Sequence, residues 1–178
     1  MKKIKVLLFT LAIAGIGFTS CSDDDNNNGN DNENAIEGTY TLREVNTAAA
    51  TDFDEDNTSH VNQMEESNCY QGSEIELNAD QTFRFQSNII LVDETSGSSA
   101  CANRTFNGIW EVTSGSGNSA TITATYEGNN GQDVVLTLQK EGNELSYSTT
   151  GLFSQYPDRN DAGGAVYTTG SVEYVFRK

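Results

Sequence analysis

What this chain lacks narrows its chemistry before anything it contains. In 178 residues it has one histidine, one tryptophan and three cysteines. A single imidazole, His60, leaves no second histidine for a zinc site, which needs three or four ligands of the right kind. No G-x-S-x-G elbow surrounds any serine, so a hydrolytic triad built on His60 has no local support. The expectation is a protein that is not an enzyme, with no catalytic residue, no metal and no cofactor. Basic residues are scarce as well: ten Lys and Arg face 26 Asp and Glu, for a formal charge of −16. A field of that sign opposes nucleic acid and direct docking on anionic lipid headgroups. Nor is there an apolar run of the roughly 20 residues that a membrane-spanning helix needs.

The longest apolar run, residues 6–16, is broken only by Thr10 and Gly15 and follows the basic head Met1-Lys2-Lys3-Ile4-Lys5. That layout is a secretory signal peptide over residues 1–20. Thr19 and Ser20, small residues directly before Cys21, resemble the bacterial lipobox, in which the cysteine becomes the lipidated first residue of the mature chain. Phe18 stands where that motif usually has Leu. The resemblance implies a membrane anchor through a palmitate-type acyl group on Cys21. Lys2, Lys3 and Lys5 leave with the signal peptide, so seven basic residues face all 26 acidic ones. Residues 22–35 are Asp, Asn, Ser, Gly and Glu with no apolar residue before Ala35. Such a segment cannot bury enough surface to offset its ordering entropy, so 21–35 is expected to be a disordered acidic tether. The cluster Asp23-Asp24-Asp25 resembles the export signal that sends lipoproteins of Bacteroidetes-type bacteria to the cell surface. The alternative is a plain solvated spacer, which would leave the protein on the periplasmic face of the outer membrane.

From Ile36 the pattern turns to period two. Ile36, Gly38, Tyr40 and Leu42 alternate with polar residues, the mark of a strand with one buried face. Further rows follow at Ile75 and Leu77, at Phe83 and Phe85, and over 89–92. Phe106, Gly108, Trp110 and Val112 make the next row, then Ile122, Ala124 and Tyr126. Val134, Leu136 and Leu138, then Leu145, Tyr147 and Thr149, and finally Val172, Tyr174 and Phe176 complete the set. Turn residues separate them at 78–81, 114–118, 128–131 and 141–143. Two stretches, 46–68 and 151–170, read as long polar loops, the first with one helical turn around 61–66. About eight short, regularly spaced strands with no convincing helix argue for an all-β domain, 36–178, built as a closed antiparallel barrel or a sandwich. Closure also removes the edges that an open meander would expose.

These residues carry a resemblance. Ile36-Glu37-Gly38-Thr39-Tyr40 is similar to the opening strand of lipocalin-like proteins, with Tyr40 in place of the commoner Trp. Cys69, the stretch from Ile75 to Phe83, Cys101, Gly108-Ile109-Trp110, Glu141-Gly142-Asn143-Glu144-Leu145 and Tyr174-Val175-Phe176-Arg177 follow in the order found in lipocalin-like lipoproteins of the Bacteroidetes type. The resemblance implies an antiparallel up-and-down barrel of about eight strands with an apolar interior, and implies no particular ligand, since fold alone does not give function.

With Cys21 lipidated, Cys69 and Cys101 remain as an even pair in an oxidising compartment, which predicts a disulfide. Asp52, Asp54 and Asp56 repeat at the spacing that opens an EF-hand loop. Asn57 then stands where glycine is wanted and Gln63 where the bidentate glutamate belongs, so a solvated charge run is the expectation. Asn57-Thr58-Ser59 and Asn103-Arg104-Thr105 match the glycosylation pattern, which a bacterial lipoprotein renders fortuitous. The aromatics Tyr40, Phe83, Phe85, Phe106, Trp110, Tyr126, Tyr147, Tyr174 and Phe176 fall mostly on inward rows. They either fill the core or line a pocket for a small, largely apolar ligand. The expected function is capture of such a ligand by a membrane-anchored monomer, gated by 46–68 and 151–170. The alternative is a cell-surface interaction or accessory module that contacts a protein or glycan and has a filled barrel.

Overall fold

Strands form here because apolar and polar residues alternate, and they close on each other because each has only one apolar row to bury. The computed structural model describes residues 35–128, 130–151 and 154–178. The signal peptide, Cys21 and the tether as far as residue 34 lie outside the described residues. In chain order the elements are β1 (Gly38–Thr51), β2 (His60–Asn62), α1 (Gln63–Glu66), a 3-10 turn (Asn68–Tyr70), β3 (Glu74–Leu77), β4 (Thr82–Asp93), β5 (Ser98–Ser116) and β6 (Ser119–Glu127). They continue with β7 (Asp133–Glu141), β8 (Glu144–Thr149), β9 (Gln155–Arg159), β10 (Ala165–Thr169) and β11 (Val172–Arg177). Eight of these, in the order β1-β3-β4-β5-β6-β7-β8-β11, are joined side by side, and β11 pairs back onto β1. Every pairing is antiparallel. The expected closed, eight-stranded antiparallel barrel is the observed architecture.

Local chemistry sets the joints. Gly117-Asn118 and Gly142-Asn143 make two-residue hairpin turns, Gly117 and Gly142 both having positive φ, which glycine adopts without steric cost. A bulge in β1 between Leu42 and Glu44 lets both Leu42 and Val45 reach the interior while Glu44 faces out toward Arg177. Gly108 is needed for close approach: a Cβ there would stand 2.0 Å from the Thr125 carbonyl oxygen of the neighbouring strand.

The interior divides into two halves. At the end where β1 begins and β11 stops, Tyr40, Leu77, Phe83, Trp110, Ile122, Leu138, Leu145 and Phe176 are all buried. Trp110 closes that end, its indole N–H donating to the Asn78 carbonyl at 3.0 Å. Midway, Phe85 of β4 reaches across to Tyr147 of β8 and Phe176 of β11, with centroids 6.2 and 6.1 Å away and edge-on geometry. In an eight-stranded barrel β4 and β8 stand opposite each other, so these contacts cross the lumen as a floor.

Several boundaries differ from the sequence reading. The row at 89–92 is no separate strand but the continuation of β4, whose register with β5 runs unbroken from Thr82↔Ile109 to Asp93↔Ser98. Beyond Gln86 and Arg104 these two strands pair only with each other, as an arm that overshoots the barrel. Residues 46–51 extend β1, and β2 then pairs back on it. The second long loop holds the β9–β10 hairpin, Gln155↔Thr169 to Arg159↔Ala165. Backbone pairing claims these polar segments because tertiary cover, not their own apolar pattern, dries their hydrogen bonds.

Candidate functional site

The arm, the segment from β2 to the 3-10 turn, and the β9–β10 hairpin gather at the open end of the barrel. The hairpin docks on the arm: the Ala165 amide donates to the Gly97 carbonyl. The Tyr167 hydroxyl donates to the Ile90 carbonyl and accepts from the Val92 amide. Cys69 and Cys101 form the expected disulfide, with Cα atoms 5.1 Å apart, which fixes the 3-10 turn to the arm. Arg159 lies 4.6 Å over the Phe53 ring and donates from Nε to the Phe53 carbonyl. Phe53, Tyr70, Ile90, Tyr156 and Ala165 are buried beneath this cover and continue the barrel core.

The cover rests on β1, β4 and the start of β5, and leaves the mouth open above β6 and β7. A recess of about 410 Å³ lies there, lined by Phe106, Tyr126, Gly128, Asn130 and Val134. Its walls come from the inward rows of β5, β6 and β7. Phe106 and Tyr126 pack with centroids 4.8 Å apart, and Tyr126 lies against Phe83 beneath. Phe106 also meets Phe85, and Tyr147 stacks on Tyr174 at 4.7 Å, so one chain of rings runs round the mouth.

The nine aromatic residues singled out in the sequence therefore sit at two depths. Tyr40, Phe83, Trp110 and Phe176 fill the closed half, Phe85 crosses the lumen, and Phe106, Tyr126, Tyr147 and Tyr174 are partly exposed at the mouth. Burial pushes the phenols of Tyr126, Tyr147 and Tyr174 above their ordinary value, and the neighbouring phenol Tyr174 adds to the shift at Tyr147. All three stay protonated near neutrality. Two of the groups that shape the mouth were not legible in advance: Tyr70, carried in by the 3-10 turn, and Tyr167, carried in by the hairpin.

Beside the mouth, Glu66 clasps the acidic loop. Its side chain is wholly buried; Oε2 accepts from the Phe53 amide at 2.7 Å and Oε1 from the His60 amide at 2.9 Å. His60 Nδ1 lies 2.7 Å from the same Oε1, and that hydrogen bond holds the imidazole pKa above its ordinary value. Asp52, Asp54 and Glu66 bring carboxylate oxygens within 4.8 Å of one another. Asp56, the third member of the sequence repeat, is not in that group, and Glu66 was too far along the chain to be suspected.

At the opposite end Lys140 is buried at the foot of β7, its Nζ donating to the Gly142 carbonyl at 2.6 Å, and burial pushes its ammonium pKa down. On the outer wall Ile109 and Val135 are well exposed on either side of Thr125, beside a groove of about 240 Å³. No family model, no curated protein and no solved structure matches the chain.

Proposed function

We propose that the open end of the barrel captures a small, largely apolar molecule, and that the protein does so from a membrane to which a lipid on Cys21 ties it. The observation that carries the reading is the recess of about 410 Å³ walled by Phe106, Tyr126 and Val134. It has the size of a small-molecule site, two aromatic rings in its lining and the Tyr126 hydroxyl available to orient the occupant. The floor at Phe85 limits its depth, so the ligand sits in the mouth rather than threading the barrel. Binding is equilibrium capture without chemistry, in keeping with the single histidine, which is committed to Glu66. The lipocalin-like resemblance and the lipobox at Thr19-Ser20-Cys21 support the same picture of an outer-membrane lipoprotein facing the cell surface.

Native mass spectrometry of the full chain purified from its own host tests both parts. The expected result is a co-purified small molecule and a mass for the mature protein that starts at an acylated Cys21. A protein with no bound mass, in which apolar probes leave the ring resonances of Phe106 and Tyr126 unmoved, would remove the ligand reading. An unprocessed or unacylated amino terminus would remove the anchor. A second reading, an interaction module using the outer wall, draws on the exposed pair Ile109 and Val135. It predicts that Ile109→Lys abolishes partner capture while leaving the recess intact.

A further inference from the structure

Arg104 is an uncommitted guanidinium in a strongly acidic chain. It stands on the same face of β5 as Phe106, one pair further toward the mouth, opposite Ser87 of β4. It is exposed. Arg84 is held by Glu74 and Glu76, Arg177 by Glu44 and Glu144, and Arg159 by the Phe53 and Gly163 carbonyls. Arg104 has no ion pair and no side-chain hydrogen bond among the described residues. The other such guanidinium, Arg43, lies at the β1 bulge on the far side of the molecule's sequence of strands from the recess. A chain with 26 acidic side chains could readily pair one more arginine on its surface. Here the arginine instead stands two residues from Phe106, on the face of β5 that contributes to the wall of the recess.

The acidic groups nearest in sequence to the recess do not occupy that face. Glu127 and Asp133 are cross-strand partners on β6 and β7, each adjacent to a wall residue, Tyr126 and Val134. Alternation along the strand turns them to the outer surface. This face of β5 therefore offers a planar, five-donor cation at Arg104, and the wall of the recess adds the hydroxyl of Tyr126. That hydroxyl has no protein partner among the described residues and remains a donor near neutral pH because burial raises its pKa.

Resting on the reading of the recess as a binding site, we propose that its ligand is an anionic amphiphile. An apolar body lies against Phe106, Tyr126 and Val134, and a carboxylate, sulfate or phosphate head is taken by Arg104. Arginine suits this role because its fork meets two oxygens of such a head at once. The acidic outer surface does not forbid it, since exposed charges more than about 8 Å away are screened at physiological ionic strength.

Four probes with one decyl body separate the possibilities on the full chain: decanoate, decyl sulfate, decanol and decyltrimethylammonium, each titrated below its aggregation threshold by calorimetry. The two anions are expected to bind about tenfold more tightly than decanol, the size of one charge-assisted hydrogen-bonded contact. Decyltrimethylammonium should bind no better than decanol. In Arg104→Gln the anions should fall to the affinity of decanol while decanol itself is unchanged, and Arg104→Lys should restore part of the difference. Arg104 is exposed and structurally uncommitted, so neither variant threatens folding. If decanol binds the native protein as tightly as decanoate, or Arg104→Gln leaves the preference in place, the assignment of the head group to Arg104 is overturned and the recess survives as a site. If none of the four binds, the proposed function itself falls.

Discussion

At the scale of single residues, the pair His60 and Glu66 governs how the acidic loop is held. The Glu66 side chain is fully buried, whereas that of its partner His60 is 33% exposed. A buried carboxylate needs its lone pairs satisfied, and two backbone amides plus the imidazole supply that. The hydrogen bond to Glu66 favours the charged imidazole and raises its pKa in the folded protein. Linkage then has a definite sign. The contribution of His60 to stability is complete below its unfolded pKa, about 6.5, and is lost as pH rises through the higher folded value. His60→Gln keeps the backbone donor and removes the titration. The stability difference between native protein and variant, from urea titrations at a series of pH values, should be largest below pH 6.5 and shrink above it. A difference that grows with rising pH would mean that Glu66 is held by something other than the imidazolium.

At the scale of elements, the β4–β5 arm and its disulfide matter most. The barrel strands announce themselves through single apolar rows such as Ile122-Ala124-Tyr126 and Leu136-Leu138, because burial on one face leaves a period of two in the sequence. The arm does not. Ser87 and Asn88 interrupt its row, and its hydrogen bonds are shielded by Tyr70, Tyr167 and the hairpin rather than by its own side chains. β9 and β10 were hidden for the same reason: five-residue strands with Pro157 and polar neighbours carry too little periodicity to be seen. The candidate site shares this limit. Phe106 and Tyr126 were legible as inward residues, but whether they line space or fill it depends on Phe85 reaching across the lumen, a contact between opposite strands that no local pattern encodes. Arg104 was legible only as part of an irrelevant glycosylation match. The disulfide is the one long-range contact of this region that residue counting did reveal. It closes a loop with a sequence separation of 32, which on the chain-entropy model contributes about 3–4 kcal/mol. Replacing Cys69 and Cys101 together with serine should therefore cost about that much and lower Tm by about 10 °C. Calorimetry of the double variant checks it, and a loss under 1 kcal/mol would show that the cover is held by the hairpin contacts alone.

At the scale of the whole molecule, the two halves of the barrel do different work. The closed half is side-chain filled, from Tyr40 to Phe176, and its strands are joined by paired backbones on both sides. The open half keeps a recess and a cover whose acidic loop is held chiefly through one carboxylate, Glu66. Regions with few buried apolar contacts and exposed backbone open at lower free energy than packed strands. Native-state hydrogen exchange should therefore separate the halves. The amides of Tyr40, Ile122, Leu138 and Leu145 should exchange only through global unfolding. Those of 54–59 and of the turn between β9 and β10 should exchange through openings cheaper by several kcal/mol. Addition of a saturating ligand should slow exchange around Phe106, Tyr126 and the β6–β7 turn by the factor set by its occupancy, and leave Leu138 and Leu145 unaffected relative to global stability. Uniform protection across both halves would instead describe a barrel packed to the rim, in which the recess is surface relief and binding belongs on the outer wall around Ile109 and Val135.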